Sequence, residues 1–264
     1  MNIFLHELKA NFKSLLIWSF ILVLFIAVGF AKFSAYYENP EMLAVLDSMP
    51  PAMLAAFSVT AFNLTSVTGF YGVMATYFAL MLSIAAAMWG SGIISKEERD
   101  KTVEFSLTLP VRRTTLVTAK IAAALVNCLL LSLVAWGVSM ASAQQYAPEP
   151  GFGEFVGLAS LSFLIIELIF LALGIFLGCA LKQHKQSGSI AVWAILGTYF
   201  LSVLIGMNAD LDFLKYLTPF KYFDPARVIT DLRLEPGFVV LSLALAVLFV
   251  AAGYLTYKKR DLYI

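Results

Sequence analysis

Charge is scarce in this chain. Only 13% of its 264 residues are Asp, Glu, Lys or Arg, against ~25% in ordinary soluble domains. So thin a polar supply cannot coat a soluble globule. The net charge of +1 leaves no concentrated basic surface, which excludes a nucleic-acid partner that must displace phosphate counterions. Histidine is nearly missing: His6 and His184 are the two present. Both fall in the flanks of apolar runs, and no H-E-x-x-H or clustered ligand set occurs, so a metal site lacks support. For the same reason Ser91 in "MWGSGII" has no base to activate it, and an intramembrane serine protease is excluded. Asp210 and Asp212 read as helix caps or solvated charge rather than calcium ligands. Cys128 and Cys179 are the two cysteines; they lie in apolar stretches without paired or metal spacing and read as small buried hydrophobes. A phosphate loop of the form G-x-x-x-x-G-K-[ST] is absent, no polar region is large enough for a nucleotide domain, and no internal repeat is evident.

Apolar sequence is abundant. Hydrophobic residues make up 61% of the chain, and the mean hydropathy is +0.85. Six apolar segments approach or exceed the ~20 residues a helix needs to cross a bilayer. Backbone polar groups cannot face lipid unpaired, and the alternation of a membrane barrel is lacking, so the segments read as helices. The expected fold is an all-α membrane protein, one domain over residues 1–264, with spans at about 15–35, 69–94, 117–143, 155–181, 188–207 and 237–257. With the N-terminus inside, thirteen of the 18 lysines and arginines fall on the inner side. Positively charged loops stay cytoplasmic, which places both termini in the cytoplasm of a multi-pass inner (plasma) membrane protein.

Shorter features flank the spans. Phe4, Leu8, Phe12 and Leu16 recur every fourth residue beside His6, Lys9 and Lys13, predicting an interfacial amphipathic helix over 1–14. A cleaved signal peptide is the competing reading; the long stretch before the apolar run, the presence of Glu7 and the poor cleavage pattern speak against it. Pro50 and Pro51 favour a helix start on the outer side. Asp224 followed by Pro225 predicts a cap and first helical residue, with Val228, Ile229 and Leu232 on one face.

The charges that do occur crowd into "SKEERDKTVEFSLTLPVRRTTL", Ser95 to Leu116, between the second and third spans. Topology needs only the basic ones; Glu97, Glu98, Asp100 and Glu104 among them suggest a docking surface. Val103 with Leu107, and Phe105 with Leu109, suit a helix, and the same residues alternate as in a strand, so periodicity leaves both open. Leu109 and Pro110 end the element.

"EERDKTVEFSLTLPVRRTTLVTAKI" resembles the inner loop of ABC-2 type permeases, the membrane subunits of ATP-binding-cassette exporters. The matching residues are Glu97 and Glu98, Thr102 and Val103, Glu104, Leu107 and Leu109, Pro110 with Arg112, and Lys120. Lys101 stands where the family often has glycine, and Ser106 and Thr108 where leucines are common. "TPFKYFD" and "YKKRDLYI" are also similar to the family, so the resemblance spans essentially the whole chain. It implies a coupling helix. Lys96, Glu97, Glu98, Arg99, Asp100, Lys101, Thr102, Val103, Glu104, Phe105, Leu107 and Leu109 would dock on a separate ATPase subunit, and Arg112 and Arg113 would hold the loop at the inner leaflet. It implies as partners two copies of a soluble ABC ATPase and a second permease copy or paralogue. No cofactor would bind this chain; ATP and Mg would sit on the ATPase. The chain would be a transport subunit and not an enzyme, its cargo a drug or antimicrobial peptide by family analogy.

Three further features carry expectations. Glu167 is the one acidic residue well inside a span, ~22 Å from Lys182 at 1.5 Å per residue. It reads either as lining the translocation path, or as a protonated or hydrogen-bonded residue packing helices. Gly174 and Gly178 form a GxxxG pattern for close helix packing, within the chain or between copies. Trp18, Trp89, Trp136 and Trp193 lie within or near spans, some as headgroup anchors. The alternative function is an ATP-independent channel or secondary transporter, which would ordinarily need more intramembrane polar residues than Glu167.

Overall fold

Six long helices carry the architecture of the computed structural model, which describes residues 3–37, 39, 41, 44, 48–50, 53–54, 62–99, 113–181 and 184–259. They are α1 (Ile3–Phe33), α2 (Val67–Arg99), α3 (Arg113–Ala143), α4 (Phe152–Ala180), α5 (His184–Met207) and α7 (Pro236–Lys259), with the short α6 (Pro225–Asp231) before the last. Two 3-10 segments, Ala209–Leu217 and Pro219–Lys221, lead from α5 to α6. No strand occurs among the described residues. The chain is an all-α protein whose six long apolar helices can each cross a membrane.

Burial separates the helices into a centre and a rim. α2 and α4 are mostly buried, while α1, α5 and α7 leave most of their apolar surface outward. α4 packs along α2 and α7, and also meets α3 and α5; α1 packs on α3 and more lightly on α2. The end at which α1 and α3 begin and α2 and α7 finish is the base of the bundle, and the opposite end the cap.

Small residues let the two central helices approach. A Cβ on Gly90 would come within 2.4 Å of the Leu171 carbonyl, and one on Gly174 within 2.4 Å of the Ala87 carbonyl. Gly174 thus packs against α2 of its own chain, and Gly178 is also buried within it. Close backbone contact of this kind substitutes for side-chain interdigitation where lipid offers no hydrophobic drive.

α1 departs from its sequence pattern. The amphipathic start and the first span form one unbroken helix, and Phe12 and Leu16 point outward while Glu7 is buried. The side packed on the bundle is set by Glu7, Leu15, Leu22, Ile26, Phe30 and Phe33, a stripe that the every-fourth-residue pattern does not mark.

At the cap, side chains and loops tie the helices. Phe33 stacks on Phe70 at 4.7 Å, and Tyr146 donates from its hydroxyl to the Phe30 carbonyl at 2.8 Å. Asp224 accepts from the Ala226 amide with Pro225 at the first helical position, as the residues predict. Val228 is buried and Ile229 half-buried, but Leu232 is not on their face. It closes α6 in the left-handed region at φ 45° and stays exposed.

Candidate functional site

The charged segment enters from α2 and leaves into α3. Lys96, Glu97, Glu98 and Arg99 are helical, the last residues of α2 rather than a separate element. Asp100, Lys101, Thr102, Val103, Glu104, Phe105, Leu107, Leu109 and Arg112 lie outside the described residues, and Arg113 opens α3. The two stems of the segment are therefore both long helices running into the bundle.

Directly beyond the segment, the base of α3 is bound to two neighbours. Lys120 Nζ lies 3.4 Å from Glu7 Oε1 on α1, with side chains only 2% and 8% exposed. Two residues earlier, Thr118 Oγ1 and the Tyr254 hydroxyl on α7 share a hydrogen bond of 2.6 Å. The other stem is bound as well: Trp89 Nε1 on α2 donates to Ser14 Oγ on α1 at 2.9 Å. So Trp89 is an interhelical donor buried in the protein, not a headgroup anchor, whereas Trp193 is 73% exposed and free to meet lipid.

A buried ion pair sets geometry more than it adds stability. Withdrawing two charges from water costs several kcal/mol each, roughly returned by their attraction. What the pair does is penalise any arrangement that separates its members. Glu7 and Lys120 were not marked as a pair by the sequence, because each looks like an ordinary charge flanking an apolar run. The available signal was Glu7 itself, an acid in an otherwise basic flank.

Glu167 sits deeper, with no exposed surface, between α4 and α3. Its Oε1 accepts from Ser132 Oγ at 2.6 Å, and Cys128 lies beside it. Glu167 Oε2, Asn127 Nδ2, Ser139 Oγ and the Tyr71 hydroxyl are buried without a hydrogen-bond partner. The Tyr71 hydroxyl faces Ser139 and Ser160 outside hydrogen-bonding geometry. A polar seam thus runs between α2, α3 and α4, through the centre of an otherwise oily bundle. Cys128 and Cys179 are buried and form no disulfide. Among the described residues no three His, Cys, Asp or Glu side chains gather as metal ligands.

At the cap, Glu149 in the α3–α4 connection clamps the start of α2. Its carboxylate accepts from the Val67 and Thr68 amides at 3.1 and 3.2 Å and from Thr68 Oγ1 at 2.5 Å. Burial pushes its pKa up, but the bonds from Thr68 and Val67 outweigh that and hold it below the ordinary carboxylate value. A depressed pKa in the folded state means the clamp contributes at neutral pH and is lost as acid protonates it. Anions are favoured at a helix N-terminus for the same reason that unpaired amides gather there.

Comparison with protein families gives a match over residues 1–262 to the family described as ABC-2 family transporter protein. Comparison with curated proteins gives no match. Six membrane-capable helices, a charged segment flanked by two of them and a family match over nearly the full length agree: the chain belongs to the ABC-2 transporter family, as a multi-pass membrane component of ABC-type transport that works with ABC ATPase subunits and is not itself the ATPase.

Proposed function

We propose that the chain is the permease of an ATP-driven exporter, moved by a separate ATPase that grips the segment Lys96 to Leu109. The observation that carries this reading is the base of α3. A push on the segment reaches α3 within its first two turns, and there Lys120 engages α1 and Thr118 engages α7. α2, the other stem, reaches α1 through Trp89 and Ser14. Displacement at one loop is thereby shared among four spans.

The apolar residues Val103, Phe105, Leu107 and Leu109 enter a groove of the ATPase, and the flanking charges choose partner and register. Arg112 and Arg113 hold the segment at the inner leaflet. ATP and Mg belong to that partner; this chain has no phosphate loop to hold them. Two ATPase copies and a second permease, identical or paralogous, complete the exporter, with the path at the interface of the two permeases. Trp193 and Phe200 on α5 point away from the bundle and leave surface for that second copy. Both termini face the cytoplasm, and the membrane is the inner one. The cargo is a drug or antimicrobial peptide, a choice resting on the family's range alone.

The enclosed position of Glu167 favours tying α3 to α4; it meets a path only where these two helices part. Co-purification of the chain with its ATPase tests the docking surface. The double substitution Glu98→Arg with Glu104→Arg is expected to abolish the complex while leaving the chain folded in the membrane. Retention of the complex removes the docking claim, and vectorial transport by the chain alone without nucleotide establishes the ATP-independent alternative. In the same reconstituted assay, Glu167→Gln with unchanged transport and weaker assembly supports the tying role; lost transport in an intact assembly supports the path role.

A further inference from the structure

The cap end of α1 and α2 encloses a groove that the transport reading does not use. Its volume is about 310 Å³, at the lower limit of ligand pockets, which run ~300–1,000 Å³. Phe25 and Val28 of α1 form one wall, Val73 and Met74 of α2 the other. Phe25 and Val28 are 38% and 47% exposed, so the groove opens outward. Gly29 also lines it, where a Cβ would make an ordinary contact with the Met74 sulfur at 3.6 Å. From Phe25 to Lys32 it runs ~10 Å along the helix axis, at 1.5 Å per residue. Its volume and length suit a segment of one alkyl chain lying along α1.

The polar lining has a single sign. Lys32, in the last turn of α1, and Tyr36 line the end nearest the cap, and Tyr77 lies nearly three turns in from the start of α2. Among the described residues no carboxylate lines the groove. The other described lysines at the cap are paired, Lys215 with Asp212 at 2.6 Å and Lys221 with Asp224 at 2.7 Å. Lys32 makes no ion pair among the described residues. A lysine at the end of a span extends to headgroup level, where phosphates lie.

We propose that the α1–α2 groove seats one acyl chain of an anionic phospholipid of the surrounding bilayer, with the lipid phosphate on the Lys32 ammonium. An apolar slot ending in a cation that makes no ion pair among the described residues matches the two halves of such a molecule. The proposal stands apart from the exporter reading, because it needs neither ATPase nor cargo.

The purified full chain, titrated in detergent with phosphatidylglycerol and with phosphatidylcholine of identical acyl chains and read by native mass spectrometry, tests it. Phosphatidylglycerol is expected to bind about five-fold tighter, the contribution of one lysine near anionic headgroups. Lys32→Gln brings the two lipids level, Lys32→Arg keeps the preference, and Val28→Trp weakens both by filling the slot. Equal binding to the wild type, or an undiminished preference in Lys32→Gln, overturns the proposal. A photoreactive residue at position 28 in native membranes supplies a second arm that does not depend on those variants folding. Adducts of lipid mass support the assignment; covalent pairs of the chain show instead that a second copy covers the groove and overturn it.

Discussion

Lys120 stands at the head of an apolar run, where its evident role is to keep the preceding loop on the positively charged side. The fold gives it a second role by placing Glu7 3.4 Å away with both side chains nearly dry. Removing one member strands the other charge, at ~3–5 kcal/mol, whereas replacing both with apolar residues of similar size is close to neutral. Lys120→Met alone is therefore expected to lower the Tm of the detergent-solubilised chain sharply, and adding Glu7→Leu to restore most of it. The double variant should still lose coupling, since two apolar side chains slide where an ion pair holds. Thermal unfolding, followed by ATP-driven transport in the reconstituted complex, reads both effects. A single Lys120→Met substitution without thermal cost shows that the pair carries no strain between α1 and α3.

Between elements, the contact that organises the centre is α2 against α4. Its closeness rests on Gly90 and Gly174, where an added methyl meets backbone at 2.4 Å. Backbone cannot rotate away as a side chain does, so Gly174→Ala must push the helices apart. Overpacking of this kind costs ~1–3 kcal/mol. Gly157, on the same helix, has nothing within 4 Å of its added Cβ, and Gly157→Ala is expected to be neutral or to stabilise by up to ~1 kcal/mol through helix propensity. Opposite signs in thermal unfolding of the two variants check the geometry; equal effects contradict it. The GxxxG spacing announced a close approach without saying to what. That answer required knowing which face of α4 meets α2, and periodicity cannot supply it for a helix apolar on every side.

For the molecule as a whole, orientation is the property most open to test. The buried cysteines Cys128 and Cys179 give a low labelling background, so single cysteines at exposed ends report cleanly. A cysteine at His6 is expected to resist a membrane-impermeant maleimide in intact cells, and one at Phe213 to react; the reverse pattern inverts the topology. The number of spans, their helical nature and the capped turn at Asp224 and Pro225 were legible in the sequence, because each follows from local rules: length against bilayer thickness, backbone bonding in lipid, and capping chemistry. The charged segment was legible too, as a departure from the surrounding composition. The Glu7–Lys120 pair, the Thr118–Tyr254 bond and the exposed side of the amphipathic stretch in α1 were not, and for Glu167 the sequence left helix packing and path lining both open.

Composition and hydrophobic run length alone determined that this chain is a bundle of membrane-spanning helices, since solvation in lipid acts on each segment independently. Only the tertiary structure decided which helices are central, which charges are paired and which glycines touch, because those depend on the rotation of each helix about its axis. In a helix that is apolar all round, nothing local favours one rotation over another; packing against the neighbours selects it.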